Sequence, residues 1–213
     1  MAEYPRLRPV MRHTYHVLTP LKRLENLERL IDMLQDKPVF WHPIFDEGLP
    51  FDVHFPHHWI QKGFCPRSAP FWSMWADSLN RFIHAGRLDA DSRYLILNDD
   101  DFYEPDFFSK IDIVDGEVLI CSMKRGQRIP PGVTPERAHG TDTLEAKPES
   151  MVVGRVGAEQ MVAAGRVFER YGFNNSIAAD GERIVRIIAE NRVQYVPEAF
   201  VWFNYLEPGR WDT

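Results

Sequence analysis

Tyr94-Leu95-Ile96-Leu97 runs directly into Asn98-Asp99-Asp100-Asp101. The first four residues are apolar or aromatic and too few for a helix, so they predict a buried strand. Three adjacent carboxylates at its end repel one another, a cost that a cation offsets. A hard divalent ion, Mn²⁺ or Mg²⁺, suits oxygen ligands of this kind, with diphosphate oxygens completing its shell. A solvated acidic turn is the plainer alternative. The position speaks against it, because open α/β sheets bind ligands beyond the carboxyl ends of their strands.

The rest of the chain supplies the helices and strands that such a sheet needs. Residues 14–18 predict a first strand, ended by Thr19-Pro20. A helix is expected over 21–35, with Leu24, Leu27, Leu30, Ile31 and Leu34 at helical spacing. Strands are expected at 39–45 and 52–55, and a helix at 70–85 closed by Gly86. A short helix opens at Glu104-Pro105-Asp106, and a strand follows at 117–123. Residues 124–150 are rich in Pro, Gly and charge and predict a long loop of functional type. A strand at 151–156, helices at 157–171 and 180–191, and a strand at 193–196 complete the pattern. Alternating strands and helices in the first half imply an α/β domain with a mainly parallel sheet.

Composition narrows the function classes. With 213 residues and 44% hydrophobic content, the chain can fill a sizeable core. The net charge of −6 disfavours a general nucleic-acid binder. The two cysteines, Cys65 and Cys121, form neither a zinc spacing nor a disulfide framework. No apolar run approaches the ~18 residues of a membrane span, and Met1–Arg6 has no signal-peptide character. A cytoplasmic protein is the expectation, with room for peripheral membrane contact.

Several ordered motifs together resemble the GT-A fold glycosyltransferases, most closely the family 2-like enzymes of the nucleotide-diphospho-sugar transferase superfamily. They are Val17-Leu18-Thr19-Pro20 with Arg23 and Asn26-Leu27, then Asn80-Arg81, then Asp99 through Asp106. Gly157-Ala158-Glu159-Gln160, Arg170-Tyr171-Gly172-Phe173 and Asp180-Gly181-Glu182 follow in order. The resemblance covers nearly the whole chain. It implies one GT-A domain over 1–213, alone or within a larger enzyme, built as a three-layer α/β/α sandwich with a mainly parallel central sheet. The implied activity is metal-dependent transfer of a sugar from a nucleoside diphosphate sugar, UDP-sugar favoured, to a hydroxyl of a saccharide or other acceptor. An Asp triplet stands where many members carry a spaced pair, and Ala179-Asp180 where a Glu-Asp pair is usual.

From the resemblance, Asp101 and Asp99 are the expected metal contacts, and Asp99 and Asp100 also face the nucleotide sugar. Thr19, Pro20, Arg23, Asp46 and Asn80 are expected around the nucleotide. Asp180, then Glu182, is expected as the base that takes the acceptor proton, in an inverting displacement. Both acids are also ordinary first-turn residues of a helix, so that alternative stays open. Lys124, Arg125 and Arg128 are candidates to close over diphosphate, against a solvated loop. His54, His57 and His58 lack a helix-borne zinc spacing and read as structural. His139 is a candidate metal or acceptor contact, and Trp202, Phe203 and Tyr205 read mostly as core aromatics, with stacking on an acceptor sugar as the alternative. The rival functions are a nucleotidyltransferase and a non-catalytic carbohydrate-binding module. The first normally has a Gly-rich phosphate loop that Thr19–Arg23 lacks.

Overall fold

A computed structural model describes residues 11–21, 23–46, 63–65, 71–85, 88–125, 142–174, 176 and 178–203. Nine strands form one sheet among them. They are β1 (Tyr15–Leu21), β2 (Val39–Asp46), β3 (Gly63–Cys65), β4 (Arg93–Ile96), β5 (Phe102–Tyr103), β6 (Val118–Arg125), β7 (Asp142–Leu144), β8 (Met161–Ala164) and β9 (Val193–Phe203). The helices are α1 (Leu27–Leu34), α2 (Phe71–His84), α3 (Phe107–Asp112), α4 (Gly165–Arg170) and α5 (Ala179–Glu190).

The strand order is β3-β2-β1-β4-β8-β6-β9-β5, with β7 beside β6. β1 pairs in parallel with β2 and β4, β2 with β3, and β6 with β9. β8 lies antiparallel between β4 and β6, so β4 and β6 point the same way. Six strands therefore share one direction, and β5, β7 and β8 oppose it. That is the mainly parallel sheet the pattern predicts. Every residue of β4 and β8 is buried, as expected for strands covered on both faces.

Period-two alternation sorts the layers. His16 stacks on Tyr94 and His42, and His42 meets Phe82 of α2. Tyr94 also meets Phe168 of α4. Tyr15 points to the other face and meets Phe108 of α3. Helices thus cover both faces, giving the three-layer sandwich.

Some boundaries differ from expectation. β1 continues through Thr19-Pro20, opposite Pro43 and Ile44 of β2. Thr14, His16 and Leu18 direct their main-chain bonds toward β4, since Arg93 N–H donates to Thr14 O and Leu97 N–H to Leu18 O. Pro20 has the same parity, and β4 has already ended, so its missing N–H costs no ladder bond. The first helix begins late: a 3-10 turn at Leu24–Asn26 precedes α1, because Arg23 and Asn26 are engaged elsewhere. Residues 151–156 form a turn instead of a strand, with Val152 and Val153 exposed and Gly154 at φ 82°. The expected helix over 157–171 divides into a 3-10 turn (Ala158–Gln160), β8 and α4.

The expected loop over 124–150 ends in β7 and a 3-10 turn (Pro148–Ser150). β9 is longer than predicted. Its register jumps from Val196 opposite Cys121 to Phe200 opposite Ser122. Ser122 stitches this bulge, donating from Oγ to Pro197 O (2.8 Å) and accepting from Ala146 N–H (3.0 Å). The expected strand at 52–55, Arg128, His54, His57, His58, His139 and Tyr205 lie outside the described residues.

Candidate carboxylate site

The carboxyl ends of β1, β4 and β6 meet the amino end of β8, because β8 runs against its neighbours. This convergence gathers Arg23, Asp99, Asp100, Asp101, Arg125 and Glu159.

β4 leads into a tight turn in which Asp101 N–H donates to Asn98 O (3.1 Å). The Asn98 side-chain amide donates to Asp101 Oδ2 (2.8 Å). Tyr103 Oη donates to Ile96 O (2.8 Å), closing the turn onto the strand. All three aspartates are buried, Asp101 completely. A solvated acidic turn is therefore excluded.

Arg23 brings positive charge to the triplet. Its backbone N–H donates to Asp99 Oδ2 (2.6 Å), its guanidinium binds Asp99 Oδ1, and the same nitrogen lies 3.4 Å from Asp100 Oδ2. Asn26 Nδ2 donates to Asp99 O (2.9 Å). The late start of α1 is thus the local consequence of tying the β1 exit to the aspartates.

Two further buried carboxyls, Asp180 and Glu159, follow in the chain, and Glu159 feels the charges of both Asp180 and Asp100. Asp180 sits in the first turn of α5, and its Oδ1 accepts from Gly181 N–H (2.7 Å). Burial raises its pKa, while the backbone N–H groups of Gly181, Asp180 and Ala158 work the other way. Glu159 is almost wholly buried, and its Oε1 has no hydrogen-bond partner. Burial, then the charges of Asp180 and Asp100, push its carboxyl up to about 8, against the pull of its own backbone N–H and Arg125. Its neighbour Gln160 accepts from Gly157 N–H (3.1 Å) and donates to Cys121 O (3.0 Å), locking this turn onto β6.

The other expected residues fall in varied places. Thr19 Oγ1 accepts from Trp41 Nε1 (2.8 Å) inside the core. Pro20 is buried within β1. Asn80 is engaged by Phe173 in both directions, donating to its O (2.9 Å) and accepting from its N–H (2.7 Å). Glu182 accepts from Asn174 Nδ2 (3.0 Å). The Asp46 backbone closes β2, and its side chain lies outside the described set. Lys124 belongs to β6, where it pairs with Glu104 and lies 4.2 Å from the Phe200 ring centre and 4.9 Å from that of Trp202. Arg125 bonds Arg155 O and keeps a buried Nε with no partner. Glu159 entered the sequence analysis only within the Gly157–Gln160 motif, with no role of its own. Its signal was an acid two residues before the apolar run Met161–Ala164.

Among the described residues, no three His, Cys, Asp or Glu form a ready-made metal cage. The donor set still suits a hard cation. Asp99, Asp100, Asp101, Asp180 and Glu159 supply buried carboxyl oxygens against two guanidiniums, those of Arg23 and Arg125. Mg²⁺-type sites also commonly take one or two carboxylates and fill the rest with phosphate and water.

No protein-family model and no curated protein matches the sequence. Solved structures do. Residues 1–349 of S. aureus TarS superpose with a TM-score of 0.56 at 13% identity, covering 89% of this chain and 60% of that one. The chain thus spans less than two thirds of that structure's length. The inositol-1-phosphate CTP transferase from T. maritima superposes with a TM-score of 0.50 at 10% identity, covering 93% of this chain and 91% of that one. At these identities the likeness establishes the fold: the chain has the nucleotide-diphospho-sugar transferase architecture of GT-A type.

Proposed function

We propose that this chain is a metal-dependent glycosyltransferase that uses a nucleoside diphosphate sugar, with UDP favoured as the nucleotide. The observation that carries this reading is the buried aspartate triplet at the carboxyl end of β4. Asp101 and Asp99 would hold Mn²⁺ or Mg²⁺, which as a Lewis acid would stabilise the departing diphosphate. Arg23, already among these carboxylates, would add positive charge there. Asp100 belongs to the proposed nucleotide-sugar side, with Thr19, Pro20, Asp46 and Asn80 as the further contacts that the resemblance implies.

In the reaction, the acceptor oxygen forms a bond to the anomeric carbon as the bond to the diphosphate oxygen breaks. The nucleoside diphosphate leaves with the electron pair. The acceptor proton passes to Asp180, with Glu182 as the alternative base. Attack opposite the leaving group makes the transfer inverting. The acceptor is a saccharide or another hydroxyl compound.

A nucleotidyltransferase is the second reading. The T. maritima CTP transferase favours it, because the superposition covers almost all of both chains. The products separate the two. Sugar transfer releases a nucleoside diphosphate, whereas nucleotidyl transfer from a triphosphate releases pyrophosphate.

The test is binding and turnover of UDP-sugars, GDP-sugars and CTP with and without Mn²⁺. Ligand that binds the native state raises its melting temperature. Asp101→Asn should abolish the Mn²⁺-dependent shift while the apo protein still melts cooperatively. Asp180→Asn should keep donor binding and lose transfer. A wild-type shift in Asp101→Asn rules out the metal assignment, and pyrophosphate as product replaces the glycosyltransferase reading.

A further inference from the structure

The end of the sheet away from the aspartates carries a second polar constellation. β4 begins there with Arg93, β6 starts just after Glu117, and β8 ends at Ala164. Between them lies a pocket of about 250 Å³, which His13, Gly116 and Arg166 also line. The proposed reaction makes no use of it.

Arg93 is a guanidinium almost wholly removed from water. Its Nη1 donates to Tyr15 Oη (3.1 Å) and Ile111 O (2.9 Å), and its Nη2 to Val114 O (2.7 Å) and Gly116 O (3.3 Å). All four acceptors are uncharged. Asp112 reaches Arg93 only through Tyr15, whose Oη donates to Asp112 Oδ1 (3.1 Å). That carboxylate also accepts from the N–H groups of Arg12 (2.8 Å) and His13 (3.1 Å). Burying a charge is costly unless an opposite charge meets it.

The acids beside the pocket are balanced by another residue. Arg166 Nη1 holds Asp91 Oδ1 (3.0 Å), and its Nη2 holds Glu117 Oε1 (2.8 Å). Inside, His13 Nε2 is buried and has no hydrogen-bond partner. Burial, then the charge of Arg93, keep the His13 imidazole below its ordinary range; Asp112 and Asp115 pull the other way, and Arg12 adds to Arg93. The leading charge at this ring is therefore positive. In the tautomer with its proton on Nε2, the neutral ring is a donor. An orphaned buried donor and an under-compensated guanidinium on one pocket match a group that accepts hydrogen bonds and carries negative charge.

We propose that this pocket binds a small oxyanion, a phosphate or carboxylate group that accepts from His13 Nε2 and supplies the counter-charge to Arg93, with Arg166 holding the neighbouring acids away. The two sources share one chemistry, and the experiment separates them.

Full-length protein, free of divalent metal, is titrated with sodium phosphate and separately with sodium acetate, at an ionic strength held constant with chloride. The His13 Cε1–H resonance, assigned by through-bond NMR, should move saturably. The bound anion favours the imidazolium, so the His13 titration should also shift upward. Tighter saturation by phosphate identifies a phosphoryl ligand, and tighter saturation by acetate a carboxylate ligand. A His13 resonance that saturates with neither anion overturns the proposal and leaves water as the partner of Nε2. Phosphate or acetate should also raise the melting temperature of the wild type, and His13→Phe should lose that increment. An increment that survives in His13→Phe places the binding elsewhere and overturns the proposal. If His13→Phe does not fold, Arg166→Gln serves at the exposed mouth. It frees Asp91 and Glu117 to repel the anion, so the anion concentration that half-saturates the His13 shift should rise several-fold; an unchanged value overturns the proposal.

Discussion

Two glycines show how much a single hydrogen in place of a methyl group decides here. At Gly165, a Cβ would meet the backbone oxygen of Asp89 at 2.1 Å. The backbone there cannot swing aside, because Gly165 N–H also donates to Ser92 O (2.9 Å). Gly165→Ala should therefore destabilise the protein by about 1–3 kcal/mol, the usual cost of forced overpacking, and denaturant unfolding measures it. Unchanged stability would show that the α4 start can shift. At Gly157 the obstacle is a side chain, the Glu159 carboxyl. Gly157→Ala should leave a folded protein but displace that carboxyl, removing the titration near pH 8 from the carboxyl NMR spectrum. The aspartate triplet was legible at this scale because three like charges after an apolar run have few inexpensive explanations. Glu159 was not, since one acid among small residues carries no such tension until the fold encloses it.

At the scale of elements, the parallel half was readable and the antiparallel insertion was not. β1, β2, β4 and β6 announce themselves as short apolar runs between turn residues. Residues 157–171 contain apolar positions that satisfy a helical period, yet Met161–Ala164 form a strand buried on both faces. Short apolar runs do not distinguish these two states. What selects the strand is tertiary: β4 and β6 each leave an edge to be paired, and β8 fills both. That choice also delivers Glu159 and Gln160 to the carboxyl ends of the parallel strands. Asn80 shows another non-local device. Its amide bridges the N–H and O of Phe173, holding the chain between α4 and α5 against α2. Asn80→Ala removes both bonds and should cost about 1–3 kcal/mol, read as a lower denaturant midpoint with unchanged slope. If the same variant also loses nucleotide affinity beyond what its stability explains, Asn80 serves the donor as well as the fold.

For the molecule as a whole, two buried groups on opposite sides of neutrality shape the response to pH. On the α2 face of the sheet, His42 is pushed down to about 3 by burial and then by the charge of His16, which lies 2.8 Å away. Burial lowers His16 as well. Between the ordinary 6.5 and about 3, the unfolded chain binds protons that the folded His42 refuses. Stability is therefore present above 6.5 and lost as pH falls. Glu159 acts with the opposite sign. Its folded value of about 8 exceeds the ordinary 4.5, so the native state holds the extra proton between them. That contribution is complete below 4.5 and is lost as pH rises toward 8, at about 1.4 kcal/mol per pH unit while only the folded form is protonated. Melting temperature should thus fall on both sides of a maximum at weakly acidic pH. Glu159→Gln should flatten the alkaline side only. His42→Gln, which keeps a hydrogen-bonding group for His16, should flatten the acid side only. A variant that moves both limbs together would mean that the two groups are linked through β1 and β4, and that the sheet between them opens as one unit.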